Sequence, residues 1–255
     1  MEIIPRFRKN SFEEPVQWTT HLFPLAGVLL YMFYPRSLRI SNNLLHKLSV
    51  IHNLLLVVFS AWTFVSLSMV LYENGIVFST AYYFQKPFFD FLILSFYLSK
   101  YYEFFDTFLL YLKGKNPIFL QKFHHIGAVI VWHLCYVYKV DAIWISTLVN
   151  SFVHTIMYSY YLGCLLRINQ VRRIKQYITS MQLVQLCIPS CVAVWCYYPP
   201  IETPFNYAII LFFVGYVGVL VYLFGQFYFA NYININPEKK IANKDIETLV
   251  SKKEE

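Results

Sequence analysis

Apolar runs long enough to cross a bilayer recur along almost the whole chain, near residues 19–34, 48–72, 88–112, 117–138, 141–163, 175–198 and 205–230, with short polar or proline-containing connections between them. A spanning helix needs roughly 20 mostly apolar residues. The 255 residues are 58% hydrophobic and only 14% charged, against about a quarter charged in soluble domains, and one soluble core could not hide that much apolar surface. In lipid every backbone polar group must find its partner inside the protein, which favours helices. The expected fold is therefore all-α and integral to the membrane, a bundle of about seven transmembrane helices. This membrane domain occupies 19–231, after an N-terminal segment 1–18 and before a polar tail 232–255 whose composition predicts disorder.

Local signals sharpen this outline. The connection Lys113 to Asn116 is short, with Asn116 reading as an N-cap and Pro117 as the first residue of the next helix. Connections of this length predict that consecutive helices pack side by side. Basic residues collect on alternate loops: Arg36, Arg39, Lys47, Lys113, Lys115, Arg167, Arg172, Arg173, Lys175 and the tail lysines on one side, against Arg6, Arg8, Lys9, Lys86 and Lys139 on the other. The positive-inside rule then puts the C-terminus in the cytosol and the N-terminus in the lumen. The polar start MEIIPRFRKN does not read as a cleaved signal peptide. Cys135, Cys164, Cys187, Cys191 and Cys196 form no CxxC pair and read as packing residues. Lys252 and Lys253, third and fourth from the end, resemble a dilysine signal that returns membrane proteins to the endoplasmic reticulum.

Ionisable side chains inside spanning helices cost several kcal/mol unless paired or hydrated, so they are functional candidates by default. The third run carries KYYEFFDT, in which Lys100, Glu103 and Thr107 share a helical face with Asp106 beside it. A Lys100–Glu103 pair would neutralise itself. The fourth begins QKFHH, with Gln121, His124 and His125 on one face. The fifth carries NSFVHTIMYSYY, with Asn150, His154, Tyr158 and Tyr161, and the sixth TSMQLVQ, with Thr179, Gln182 and Gln185. At 1.5 Å per residue, Asp106, His124, His154 and the Thr179–Gln185 stripe lie roughly 6–15 Å from the cytosolic ends of their helices, and Lys100 about 18 Å. Agreement in depth over these helices predicts a single site in the cytosolic half of the bundle.

KYYEFFDT fits K-x-x-E-x-x-D-T, QKFHH fits H-x-x-H-H without its first His, NSFVHTIMYSYY fits N-x-x-x-H-x-x-M-Y-x-Y-Y, and TSMQLVQ fits T-x-x-Q-x-x-Q. In order and spacing, over roughly residues 20–230, these boxes resemble the ELO family of fatty acid elongases. The resemblance implies condensation of a long-chain acyl-CoA with malonyl-CoA to a 3-oxoacyl-CoA, CO2 and CoA in the endoplasmic reticulum membrane. No bound cofactor or metal is implied, and the ketoacyl-CoA reductase, dehydratase and enoyl-CoA reductase of the cycle are implied as partners. None of the five cysteines lies in a box, whereas a neutral imidazole is a usable nucleophile near pH 7. His124 is accordingly read as the acyl acceptor, with His125 and His154 orienting or protonating the reacting groups. Lys100, Glu103 and Asp106 would set the site's shape and charge. Gln121, Asn150, Tyr158, Tyr161, Thr179, Gln182 and Gln185 would contact substrate, and Arg172 and Arg173 the CoA phosphates. Gln121 departs from the family pattern; a glutamine there can still hydrogen-bond a neighbouring imidazole, and it resembles elongases of some lower eukaryotes that act on unsaturated chains.

Two other readings share parts of this pattern. A seven-helix receptor has the same expected topology, but the loops are short and the last run lacks a lysine for a retinal-type linkage. A histidine-box di-iron desaturase or hydroxylase needs many imidazoles. This chain has seven His, with His21, His46, His52 and His133 outside the boxes and no H-x-x-x-H pair.

Overall fold

The computed structural model describes residues 18–33, 38, 40–199 and 201–234. The N-terminal segment, most of the tail and the Lys252–Lys253 pair lie outside them. Regular structure among the described residues is entirely helical: α1 (Leu22–Met32), α2 (Asn42–Asn74), α3 (Pro87–Tyr102), α4 (Phe104–Leu112), α5 (Phe119–Val137), α6 (Ile143–Leu165), α7 (Lys175–Cys196) and α8 (Pro204–Tyr228), with short 3-10 or π turns at several ends. The helices begin where local chemistry supplies a cap. The Ser41 hydroxyl accepts the Leu44 N–H at the start of α2, Thr203 does the same for Asn206 at α8, and Pro87 and Pro204 open α3 and α8. Gly75, at φ 72°, ends α2 in a conformation that costs glycine little.

Some boundaries differ from the sequence expectation. α5 starts at Phe119 rather than at Pro117, because Ile118 (φ −69°, ψ 159°) is still extended and serves as the N-cap position. α2 begins six residues before the apolar run, its polar first turns held by the Ser41 cap. α1 has only 11 residues, about 16 Å of helix. α3 and α4 are parted by the single residue Glu103, whose backbone stays helical and whose carbonyl takes the Asp106 N–H in a tighter i to i+3 bond. They form one rod kinked in the middle of the first box.

The packing order is a closed ring. α2 packs on α3, α3 on α5, α5 on α8, α8 on α7, α7 on α6 and α6 back on α2, while α1 lies outside against α5. Consecutive helices therefore do not all pack side by side. After α5 the chain crosses to the far side of the ring, so that α6 covers α2 and α8 takes the place beside α5. Lys139 and Val140 make the crossing, with Lys139 in the left-handed region (φ 53°) and the Val140 N–H returned to the Cys135 carbonyl.

The ring is inside-out relative to a soluble bundle. Large apolar side chains such as Leu55, Val58, Phe91, Ile188 and Phe212 are exposed, whereas Asn53, Lys100, Glu103, Asn150 and His154 are buried. A continuous apolar exterior is what lipid contact requires. By length and composition α2, α7 and α8 with its π turn (Pro204–Ile233) can cross a membrane. The kinked α3–α4 rod, α5 and α6 hold most of the charged and imidazole-bearing boxes, and those polar residues face inward.

At the end of the ring opposite the basic loops, buried carboxylates tie the connections together. Asp141 accepts the N–H groups of Tyr83 (2.9 Å) and Phe84 (3.3 Å), and Glu202 accepts the Thr80 hydroxyl and the Asn206 amide. Alanine at Asp141 is expected to lower stability by about 2–4 kcal/mol, since it orphans two buried N–H donors; a thermal-unfolding series on detergent-purified protein measures it.

Candidate active site

Inside the ring lies a cavity of about 650 Å³. Its wall takes residues from each of the four boxes: Asp106 and Glu103 from the α3–α4 rod, Gln121, His124 and His125 from α5, His154, Tyr158 and Tyr161 from α6, and Thr179, Gln182 and Gln185 from α7. Beyond it, between α5, α6, α7 and α8, a smaller void of about 30 Å³ is walled largely by apolar groups, including Trp132, Leu186, Phe213 and Val217. His124, Gln185 and Leu186 border both. Pro189 also lines the small void, and by lacking an N–H it leaves the Gln185 carbonyl without its helical donor.

Charge is concentrated at the kink. The Lys100 ammonium, 2% exposed, donates to Glu103 Oε1 at 2.7 Å and to Asn150 Oδ1 at 3.0 Å, and lies 4.1 Å from the centre of the Phe96 ring. Glu103 Oε1 also stands 3.6 Å from His154 Nδ1, while Oε2 is buried without a partner. Donor atoms of Glu103, His124 and His154 lie within 4.8 Å of one another, a grouping that could converge on a metal ion. The Lys100 ammonium already supplies a cation to this carboxylate.

Asp106 holds the neighbouring part of the wall. Its two oxygens accept His52 Nε2–H at 2.9 Å and the Tyr158 hydroxyl at 2.7 Å. Thr107 shares a 2.8 Å hydrogen bond with Tyr31 of α1 and accepts the Gln121 amide at 3.2 Å. Gln121 thus donates to a hydroxyl rather than to the imidazole expected from the sequence, because the helix turn that aligns it with His124 also turns it towards α4. His125 is buried edge-on to Tyr31 and Phe104, with Nδ1 unpartnered. His124 is half-buried. Tyr216 of α8 donates to its carbonyl at 2.8 Å and comes within 3.5 Å of its Nδ1. This approach needs Gly127, where a Cβ would lie 2.0 Å from the Tyr216 ring.

The α7 residues are less tightly held. The Gln182 amide points at the Met157 sulfur (2.9 Å), a weak acceptor, and Thr179 bonds the Lys175 carbonyl and Tyr232. Asn150 reaches Gln185 at 3.4 Å. At the basic end Lys113 and Lys175 line the cavity, and Arg173 is exposed on the 3-10 turn Asn169–Ile174. The backbone of Arg172 lies on the same turn, and its side chain is outside the described set. His52, Tyr31 and Tyr216 stand outside the four boxes. His52 was legible in principle, since an imidazole in the longest apolar helix carries the same cost as those in the boxes; the tyrosines gave no comparable signal.

Residues 17–240 match the profile of the ELO family, described as GNS1/SUR4. The chain belongs to the ELO family. Among relatives of this ELO protein, fatty acid elongase sre1 of Dictyostelium discoideum is 33% identical over 258 residues, covering 93% of each chain. Fatty acid elongase A of the same organism is 30% identical over 206 residues, 76% of this chain and 74% of that one. Fatty acid elongase 3 of Trypanosoma cruzi is 32% identical over 165 residues, 59% of this chain and 53% of its own.

Proposed function

We propose that this ELO protein is the condensing enzyme of fatty acid elongation, joining an acyl-CoA to malonyl-CoA through an acyl-imidazole on His124. The observation that carries the reading is the position of His124 on the wall of a cavity of about 650 Å³, which is lined by residues of all four boxes together with apolar side chains and is large enough for a thioester and the start of an acyl chain. In the first half-reaction the unprotonated ring nitrogen attacks the thioester carbonyl and the C–S bond breaks. The ring N–H proton leaves with the CoA thiolate as thiol. Malonyl-CoA then loses its carboxylate as CO2. The enolate carbon left behind attacks the acyl carbonyl, the C–N bond breaks, and the departing imidazole takes up one proton from solvent, leaving a 3-oxoacyl-CoA two carbons longer.

Each neighbour has a task in this scheme. His154, oriented by Glu103, faces His124 and can carry the proton between ring and leaving group. Gln182 spends its amide on a sulfur and is free to turn to a developing oxyanion. Asn150 and Tyr158 already donate or accept within the protein and hold the wall in shape. Partial burial and the neighbouring Lys115 ammonium pull Lys113 below the usual lysine range. CoA phosphates would offset that burial and repulsion, with Lys175 on the same cavity wall and Arg172 and Arg173 on the neighbouring turn. Seven crossings, a lumenal N-terminus, a cytosolic C-terminus and retrieval to the endoplasmic reticulum through Lys252 and Lys253 complete the reading, together with a preference for unsaturated chains linked to Gln121. The reductases and dehydratase of the cycle would act on its product.

Microsomes or purified protein given radiolabelled malonyl-CoA and a panel of saturated and unsaturated acyl-CoAs should yield labelled 3-oxoacyl product, with unsaturated chains favoured. Absence of product from every chain overturns the assignment, and equal use of saturated chains removes the preference.

A further inference from the structure

α2 lies outside the four boxes, yet it places a buried imidazole on the site. His52 is 4% exposed, borders the main cavity and gives its Nε2–H to Asp106 Oδ1 at 2.9 Å. A carboxylate oxygen accepts, so the hydrogen in this bond is carried by His52 Nε2, while Nδ1 is buried without a partner. The second Asp106 oxygen accepts the Tyr158 hydroxyl at 2.7 Å. Tyr158 in turn stands edge-on to the His154 ring, at 5.4 Å between centroids and 86° between planes, and edge-on to His52 itself at 6.4 Å. A chain of direct contacts therefore runs from α2 through α4 to two residues of α6: His52 fixes the carboxylate, the carboxylate fixes the phenol, and the phenol braces the imidazole nearest Glu103.

We infer that His52 is a positioning residue of the elongase site, holding Asp106 so that Tyr158 keeps His154 aligned towards His124. The inference rests on the condensing reading above. A residue that only filled space between α2 and α4 could be replaced by any side chain of similar volume; one that holds Asp106 must offer an N–H where Nε2 now stands. Leucine fills the volume without a donor, while the terminal amide of glutamine can place an N–H close to the Nε2 position. Misplacing catalytic groups lowers turnover more than it lowers binding when substrate contacts lie elsewhere.

The test compares steady-state elongation by wild type, His52→Leu and His52→Gln, each normalised to the folded fraction in detergent by size-exclusion chromatography. We expect His52→Leu to lose about tenfold to a hundredfold in kcat, the scale of one hydrogen bond to a charged group, with the malonyl-CoA KM within twofold, and His52→Gln to recover a large part of the loss. Full kcat in the leucine variant, equal losses in both variants, or a loss confined to folded yield overturns the inference while leaving the condensing reading intact. No turnover by wild type under any acyl-CoA overturns both.

Discussion

Alanine in place of His124 is expected to lower kcat for condensation by on the order of a thousandfold or more while leaving the ring folded. Loss of a covalent nucleophile removes the whole acyl-transfer route rather than one contribution to it. The fold should tolerate the change, because the strong link from α8 is the Tyr216 hydroxyl to the His124 carbonyl, which alanine retains, and Gly127 still admits the Tyr216 ring. His125 borders the same cavity, its buried ring edge-on to the stacked Tyr31 and Phe104 rings, so the same trapping experiment on His125→Ala distinguishes the two imidazoles. The decisive measurement is chemical. Incubation with labelled acyl-CoA alone, without malonyl-CoA, should leave label on a peptide containing His124, and His124→Ala should carry none. Label persisting in the alanine variant would show that another group accepts the acyl chain, and the cavity would then have to be read around that group.

Much of this site was legible before the structure because hydrocarbon makes polar side chains expensive. Lys100, Glu103, His124 and His154 could be singled out from cost and helical depth alone; the cavity gathers Glu103, His124 and His154, while Lys100 lies behind its wall, bonded to Glu103. What sequence could not supply was who sits beside whom. Periodicity marks the inward face of α6 but is silent on whether that face meets α5 or α2, since the choice depends on a crossing made by Lys139 and Val140 and on packing across the ring. The same limit hid the partners of individual groups. Gln121 lies one helical turn from His124 and was expected on an imidazole, yet a hydroxyl on α4 captures it. His52 is 54 positions from Asp106 and carries no box around it, so their bond follows only from the neighbourhood of α2 and α4. Caps at helix ends were missed although their causes are local: Ser41, Pro87 and Thr203 act on residues within one turn, and the delayed start of α5 reflects the backbone at Ile118, which the Asn-Pro signal did not reveal.

The second large effect is expected at the kink. Lys100→Met should cost about 3–5 kcal/mol, because it leaves Glu103 as a buried charge without its cation. That is a sizeable part of a typical stability of about 5–15 kcal/mol. Glu103 has little else to fall back on: Oε2 is already unpartnered and Oε1 would keep only His154 at 3.6 Å. Glu103→Gln alone should be milder, since the amide oxygen can still accept from Lys100, and Asn150 remains as its second acceptor. The paired variant Lys100→Met/Glu103→Gln removes both charges at once and should return the thermal midpoint to near that of wild type, because two neutral side chains of similar size escape the desolvation that the ion pair must overcome. Activity separates the two roles of the pair. If the carboxylate orients His154 for proton transfer, the refolded double variant stays inactive; if it condenses acyl-CoA with malonyl-CoA at the wild-type rate, Lys100 and Glu103 serve only to join the ring at its kink.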